Sequence, residues 1–377
     1  MDRYYQAGVV SIFAVIFSTL LLTVLTVGFI GLMITAQQRA VNNDLSQSAY
    51  DAALSGVEDA KRVVRACVGG SESACNALDA MPDCKVIARA GINGSLDASE
   101  TVIASQTGNE EQEHFDQAYT CVNIHMNSPD YVYRAAADQA HVIPLRATGT
   151  FNQIVIEWYS SDDNRGRLAE RPMSATDDKL LPRSSGWNPS APPMLRAQII
   201  TPGQTFFLNS LDESPASHTV FLRPNSVSAS TTNWDVSIAP DAPARATGGD
   251  QYTNGPTPIA CSSNFANNGY SCRATFTLTD AITTEVGSNT LLRLNTIYKD
   301  ATTRITLRNT NLPVEFNGVQ PIADSTGRAS NLFRRVEARL SVGSNFPYPS
   351  YAADVSTAIC KDFSVDDARY SAGTCNP

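Results

Sequence analysis

The sequence predicts an α+β chain in which one long N-terminal helix, transmembrane and then amphipathic, carries a β-rich, disulfide-stapled extracellular body of antiparallel sheet in a sandwich. Three observations predict it. No charged side chain occurs between Tyr4 and Gln38. Only 17% of the 377 residues are charged, while Gly (22) and Pro (20) are plentiful, a composition of strands and loops rather than helical bundles. Eight cysteines are present and none forms a CxxC pair, so they point to disulfides in an oxidising compartment, not to a cytosolic metal site. The net charge of −9, with no Lys/Arg cluster interleaved with aromatics, carries no footprint of a nucleic-acid partner.

The helix comes first. The run VVSIFAVIFSTLLLTVLTVGFIGLMI from Val9 to Ile34 exceeds the ~20 apolar residues that cross a bilayer, and is longer than the core of a secretory signal peptide. Arg3 precedes it while Arg39, Lys61, Arg62 and Arg65 follow, so charge does not orient it; the cysteines do, placing the C-terminal body outside. No proline occurs before Pro82, and Val41, Leu45, Ala49, Ala52, Gly56, Ala60 and Val63 recur at helical spacing. One helix of residues 9–66, roughly 87 Å long, is expected. Its stripe of small residues, Ala49, Ala53, Gly56 and Ala60, is shaped to let another backbone approach.

Gln6-Ala7-Gly8 directly before the apolar run, and QQRAVNNDLSQSAYDAALSGVEDAKR from Gln37 to Arg62, resemble the N-terminal segment of type IV filament subunits, specifically PilX-like minor pilins and minor pseudopilins. The resemblance covers about the first sixth of the chain. It implies a leader of residues 1–8, cut by a prepilin peptidase between Gly8 and Val9, with the new terminus methylated. Val9 stands where the family usually has Phe or Met, and the leader carries one Arg and one Asp where the family's leaders are basic. Phe13 falls at the mature fifth position, where major subunits carry a Glu that answers a neighbour's terminal amine; its lack is typical of subunits at a filament tip. The partners implied are other pilin or pseudopilin subunits, the peptidase, membrane lipid before assembly, and a host or partner-cell surface.

Beyond the helix, Gly69-Gly70 and Pro82 break structure, and Cys67, Cys75, Cys84 and Cys121 can form two disulfides whose pairing stays open. Residues 67–159 are expected to form a disulfide-bonded β region with strands at AYTCVNIHM, Tyr131 to Arg134 and Ile154 to Tyr159. Residues 160–193, rich in Pro and charge, read as a linker or surface loop. Alternation in LRAQI, ATFTL, ITL and VEARLSV then marks a sandwich-like domain of residues 194–346, followed by a disulfide loop over 347–377. Cys261 with Cys272, and Cys360 with Cys375, are expected as local bridges. Thr326-Gly327 before RRVEARLS is similar to the Thr-Gly turn that precedes the closing strand of many minor pilins.

Catalytic signatures are missing: GxSxG, SxxK, a Walker loop and HExxH do not occur, so no enzyme and no cofactor is expected. His125 lies four residues after Cys121, but a bridged cysteine and a surface histidine account for both. Asp162, Asn164 and Gly166 begin like a calcium loop, yet the twelfth position is Met173, so the segment reads as a polar turn and no metal is expected. Tyr348, Tyr351 and Trp187 are candidates either for partner contact or for packing. Three classes remain: a filament subunit, an uncleaved membrane-anchored surface binding protein, and a tethered enzyme.

Overall fold

The computed structural model describes residues 7–80, 83–103, 117–165, 187–201, 217–225, 235–238, 257–284 and 289–341. The helices are α1 (Ala7–Val68), α2 (Glu72–Asp79) and α3 (Val86–Arg89). The first strands are β1 (Thr101–Val102), β2 (Gln117–Ser128), β3 (Tyr131–Ala135), β4 (Ala140–Pro144), β5 (Phe151–Ser160), β6 (Met194–Ile200), β7 (Ser217–Asn225) and β8 (Asp235–Ile238). After them come β9 (Thr257–Ala260), β10 (Tyr270–Ile282), β11 (Leu291–Ile297), β12 (Ala301–Asn309), β13 (Leu312–Val314), β14 (Phe316–Ala329) and β15 (Leu332–Arg339).

The described residues divide into two compact units, one within Met1–Ser128 and Gln320–Val342, the other within Pro129–Val319. The units therefore interleave, where the alternation patterns predicted consecutive blocks over 67–159 and 194–346. The reason is long-range strand pairing: β2 lies beside β14 in a four-stranded sheet ordered β1-β2-β14-β15, whereas β5 pairs with β10 and β12. Alternation reports which face of a strand is buried, not which strand lies next to it.

In unit 1, α1 runs unbroken for 62 residues, about 93 Å. It ends where Gly70, at φ 93°, turns left-handed. There the Ser71 N–H donates to the Ala66 carbonyl (2.9 Å) and the Gly70 N–H to that of Cys67 (2.9 Å), the paired bonds of a glycine-terminated helix. The C-terminal turns of α1 bury Val57, Ala60, Val63 and Val64 against α2, α3 and the sheet residues Tyr119, Val122, Ile124 and Ala323. Cys67–Cys75 ties the end of α1 to α2, and Cys84–Cys121 ties the following loop to β2.

Unit 2 holds two sheets. One runs β13-β12-β5-β10-β8, with β3 also on β12; the other runs β4-β11-β6-β7-β9. Ile154, Ile156, Trp158, Phe276 and Ile305 from the first, with Ile143, Leu195, Ile199, Leu292 and Leu294 from the second, belong to one buried cluster. Pairing is antiparallel except at β8 with β10 and β9 with β7, which run parallel, a departure from the expected all-antiparallel order. Cys261 and Cys272 are disulfide-bonded and sit opposite one another in an isolated antiparallel bridge. Cys360 and Cys375, like Tyr348 and Tyr351, lie outside the described residues.

Candidate functional site

Among the described residues, the first half of α1 has no packing partner. Every residue from Ile12 to Asp44 is exposed, with Phe13 at 63%, Phe17 at 74% and Leu32 at 73%. An apolar helix that no described residue covers suits a nonaqueous surround, and this one is long and apolar enough to cross a membrane. Its four threonine hydroxyls are answered within the helix: Thr19, Thr23 and Thr26 donate to the carbonyls of Ile16, Leu20 and Thr23, and Thr35 to that of Gly31, at 2.8–2.9 Å. Such back-bonding removes the cost of carrying a hydroxyl into hydrocarbon. Gly8 and Val9 fall in the first turn of α1.

The second half behaves oppositely. Ala49, Ala53 and Ala60 have no exposed surface and Gly56 is buried, so the small-residue stripe is covered by the chain itself. The close backbone approach expected of the stripe is met within the chain, so Ala49, Ala53, Gly56 and Ala60 are not left open for filament packing. The backbone it admits belongs to β14: a Cβ placed on Gly327 would overlap the Ala49 carbonyl oxygen and the Ala53 nitrogen. A Cβ on Gly56 would overlap the Ser325 hydroxyl and lie 2.8 Å from Val122 Cγ2. Two glycines and three alanines thus permit a helix-to-sheet approach that any larger side chain blocks. Gly327 accordingly lies within β14, in register with Arg334, and not in the turn expected of Thr326-Gly327. That turn falls at Ser330, whose φ is 53°. Arg334 of β15 fastens the same face, its Nε and Nη2 donating to Ser46 Oγ at 2.9 and 2.6 Å.

Beside this contact α1 carries a buried carboxylate. Asp59, 4% exposed, accepts from Arg62 Nη1 at 2.9 Å, from Asn93 Nδ2 at 2.9 Å and from the Tyr119 hydroxyl at 2.8 Å. These donors supply the pairing and hydrogen bonds without which a buried carboxylate is costly. Burial, reinforced by the Asp59 charge, pushes the Tyr119 phenol upward, so it stays a neutral donor. The cluster opens on a groove of about 570 Å³ lined by Leu54, Glu58, Asp59, Asn93, Val102 and Tyr119. Sequence reasoning missed Asp59. The available signal was its position, one residue before Ala60 and three after Gly56, a charge set into an otherwise small apolar face.

Unit 2 carries its own buried acids. Glu157 on β5, 2% exposed, is held by Arg304 Nε at 2.6 Å and by Asn268 Nδ2 at 3.1 Å. The Asp163 carboxylate accepts from the Ser160 and Thr302 backbone N–H groups, each at 2.8 Å. Asp163 and Asn164, which accepts from the Tyr159 hydroxyl at 3.1 Å, therefore serve the turn after β5; Gly166 lies outside the described residues. Trp187 is buried and stacks on Tyr298 with ring centroids 4.5 Å apart. Cys121 is spent in its disulfide. Among the described residues no group of three His, Cys, Asp or Glu side chains is placed to hold a metal ion.

Compared with family models, curated proteins and solved structures, the chain matches none of them.

Proposed function

We propose that this chain is a minor subunit of a type IV pilus or pseudopilus, with α1 packed into the filament core and a β-sandwich body displayed outside the cell for adhesion or assembly initiation. The observation that carries the reading is the stretch of α1 between the apolar run and the body. From Thr35 to the first buried residue, Ala49, the helix continues for about 21 Å, exposed through Asp44, with Val41 at 53% exposure. Helices of fewer than about 12–15 residues are marginal alone in water. A simple anchor gains nothing from such a bare stalk. In a filament, neighbouring helices cover it.

In this reading the peptidase cuts between Gly8 and Val9, the membrane holds the subunit before assembly, and the partners of α1 are the helices of other subunits. The chain is structural and not catalytic. Phe13 leaves the apolar segment without a charge to answer a neighbour's buried amine, an uncompensated cost that suits a place at a filament end. Quantitative proteomics of sheared filaments tests the proposal. Peptides of the β body should appear in the filament fraction, far scarcer than those of the main subunit. Equal abundance removes the end assignment; absence from the fraction, with the protein left in the membrane, replaces the reading with an uncleaved, membrane-anchored surface binding protein.

A further inference from the structure

Three Asn-Gly dipeptides lie among the described residues, and their surroundings differ. Asn317-Gly318 is held in β14. Asn268-Gly269 sits in the turn before β10, where the Gly269 N–H is committed to the Phe265 carbonyl at 3.2 Å. Asn93-Gly94 lies in the loop after α3, and its Gly94 N–H donates to Oδ1 of Asn93 itself at 2.8 Å, a bond that holds the nitrogen beside the side-chain amide it would attack. Oδ1 is bonded to Cγ at about 1.2 Å, so the nitrogen lies within about 4 Å of that carbon, close to the separation of a near-attack geometry. Asn93 is also exposed, so water reaches it. Gly94, at φ 78°, has no Cβ to hinder the approach.

We infer that Asn93-Gly94 is a site of spontaneous deamidation, and that the modification changes the charge of the Asp59 cluster irreversibly. The Gly94 nitrogen, losing its proton, bonds to Cγ of Asn93; the Cγ–Nδ2 bond breaks and Nδ2 leaves as ammonia, giving a cyclic imide. Water then opens either imide carbonyl, leaving aspartate or isoaspartate at the position. No oxidant or reductant takes part. The consequence follows from the other end of the side chain, because Nδ2 is the donor to Asp59 Oδ2 at 2.9 Å. Its loss removes one of the hydrogen bonds to a buried carboxylate and sets a second carboxylate beside it, where two such charges resist sharing a site. The wall of the groove beside α1 thus gains negative charge as the protein ages.

The test follows the intact protein in detergent during incubation at mildly alkaline pH, with peptide mass mapping of each Asn-Gly site. A parallel sample is denatured in urea. Asn93 should convert at least about tenfold faster than Asn317 in the folded protein, with the two rates alike in urea. A folded-state rate at Asn93 no greater than at Asn317 overturns the inference. For the consequence, Asn93→Asp imitates the product and Asn93→Gln keeps an amide donor. The first should melt below the second; equal melting temperatures contradict the coupling to Asp59. Gly94→Ala is not a usable control, since its Cβ would press on Thr101 Oγ1 at 2.5 Å.

Discussion

The two halves of α1 share one unbroken backbone and answer opposite demands. From Ile12 to Ile34 most side chains are large and apolar and all are exposed; from Ala49 to Ala60 the contact face is small and covered. Bulk meets no obstacle in the first half, where no described residue packs against the helix. The second half meets a preformed sheet whose Gly327 backbone reaches the helix backbone, so there the absence of side chain is what permits contact. A stripe of small residues therefore does not by itself identify an intermolecular face. Here the chain's own β14 occupies it.

Substitutions that add bulk should separate the halves most sharply. Gly327→Val must displace α1 from β14, and overpacking of this kind costs about 3 kcal/mol. Thermal unfolding in detergent, read by circular dichroism, should show a clearly lower transition. A melting temperature equal to that of the parent protein would mean that the helix does not lie on Gly327. Asp59→Ala comes next, at about 2 kcal/mol, because the Tyr119 hydroxyl and the Asn93 amide are left without their acceptor. Restoring an acceptor with Asp59→Asn should recover part of that loss, which a denaturant midpoint detects.

The first half should respond in the reverse sense. Leu22 is 64% exposed and packs against no other described element, so Leu22→Ala should change the unfolding transition by less than about 0.5 kcal/mol. Under the proposed filament role its effect is on assembly, and less protein is expected in the sheared filament fraction. A large loss of fold stability from Leu22→Ala would show that the halves do not divide as described.

The smallest expected effect lies outside α1 and serves as a control. His141 on β4 is stacked on Tyr133 (4.2 Å between ring centroids) and its Nε2 is 2.9 Å from the Tyr131 hydroxyl. Burial lowers its pKa in the folded state. Below the unfolded value of about 6.5 the unfolded chain binds the proton more readily, so this contribution to stability is present above that pH and is lost as pH falls beneath it. His141→Gln should flatten that part of the stability profile of unit 2; an unchanged profile assigns the pH dependence to other groups.

Much of this was legible in the sequence. The apolar run and the spacing of Val41 through Val63 predicted a single helix over 9–66, and α1 ends two residues later because the glycine-terminated bonds form at Gly70. The alternation of Leu195, Ala197 and Ile199, and of Ile305 and Leu307, marked strands whose inward residues are buried. Pairing was not legible. Nothing local to Tyr119 or Ala323 announces that strands some two hundred residues apart share a sheet, and the contact between Gly327 and Ala49 follows only from that pairing. Asp59 was obscured for the same reason, since its partner Tyr119 lies 60 residues away.

The mature N-terminus tests the central claim most directly. Terminal sequencing by mass spectrometry, on protein recovered from sheared filaments, should find a chain beginning at Val9, and Gly8→Arg should abolish that product by removing the small residue before the cut. A filament-fraction chain that still begins at Met1 would contradict the account and leave α1 as an uncleaved membrane anchor.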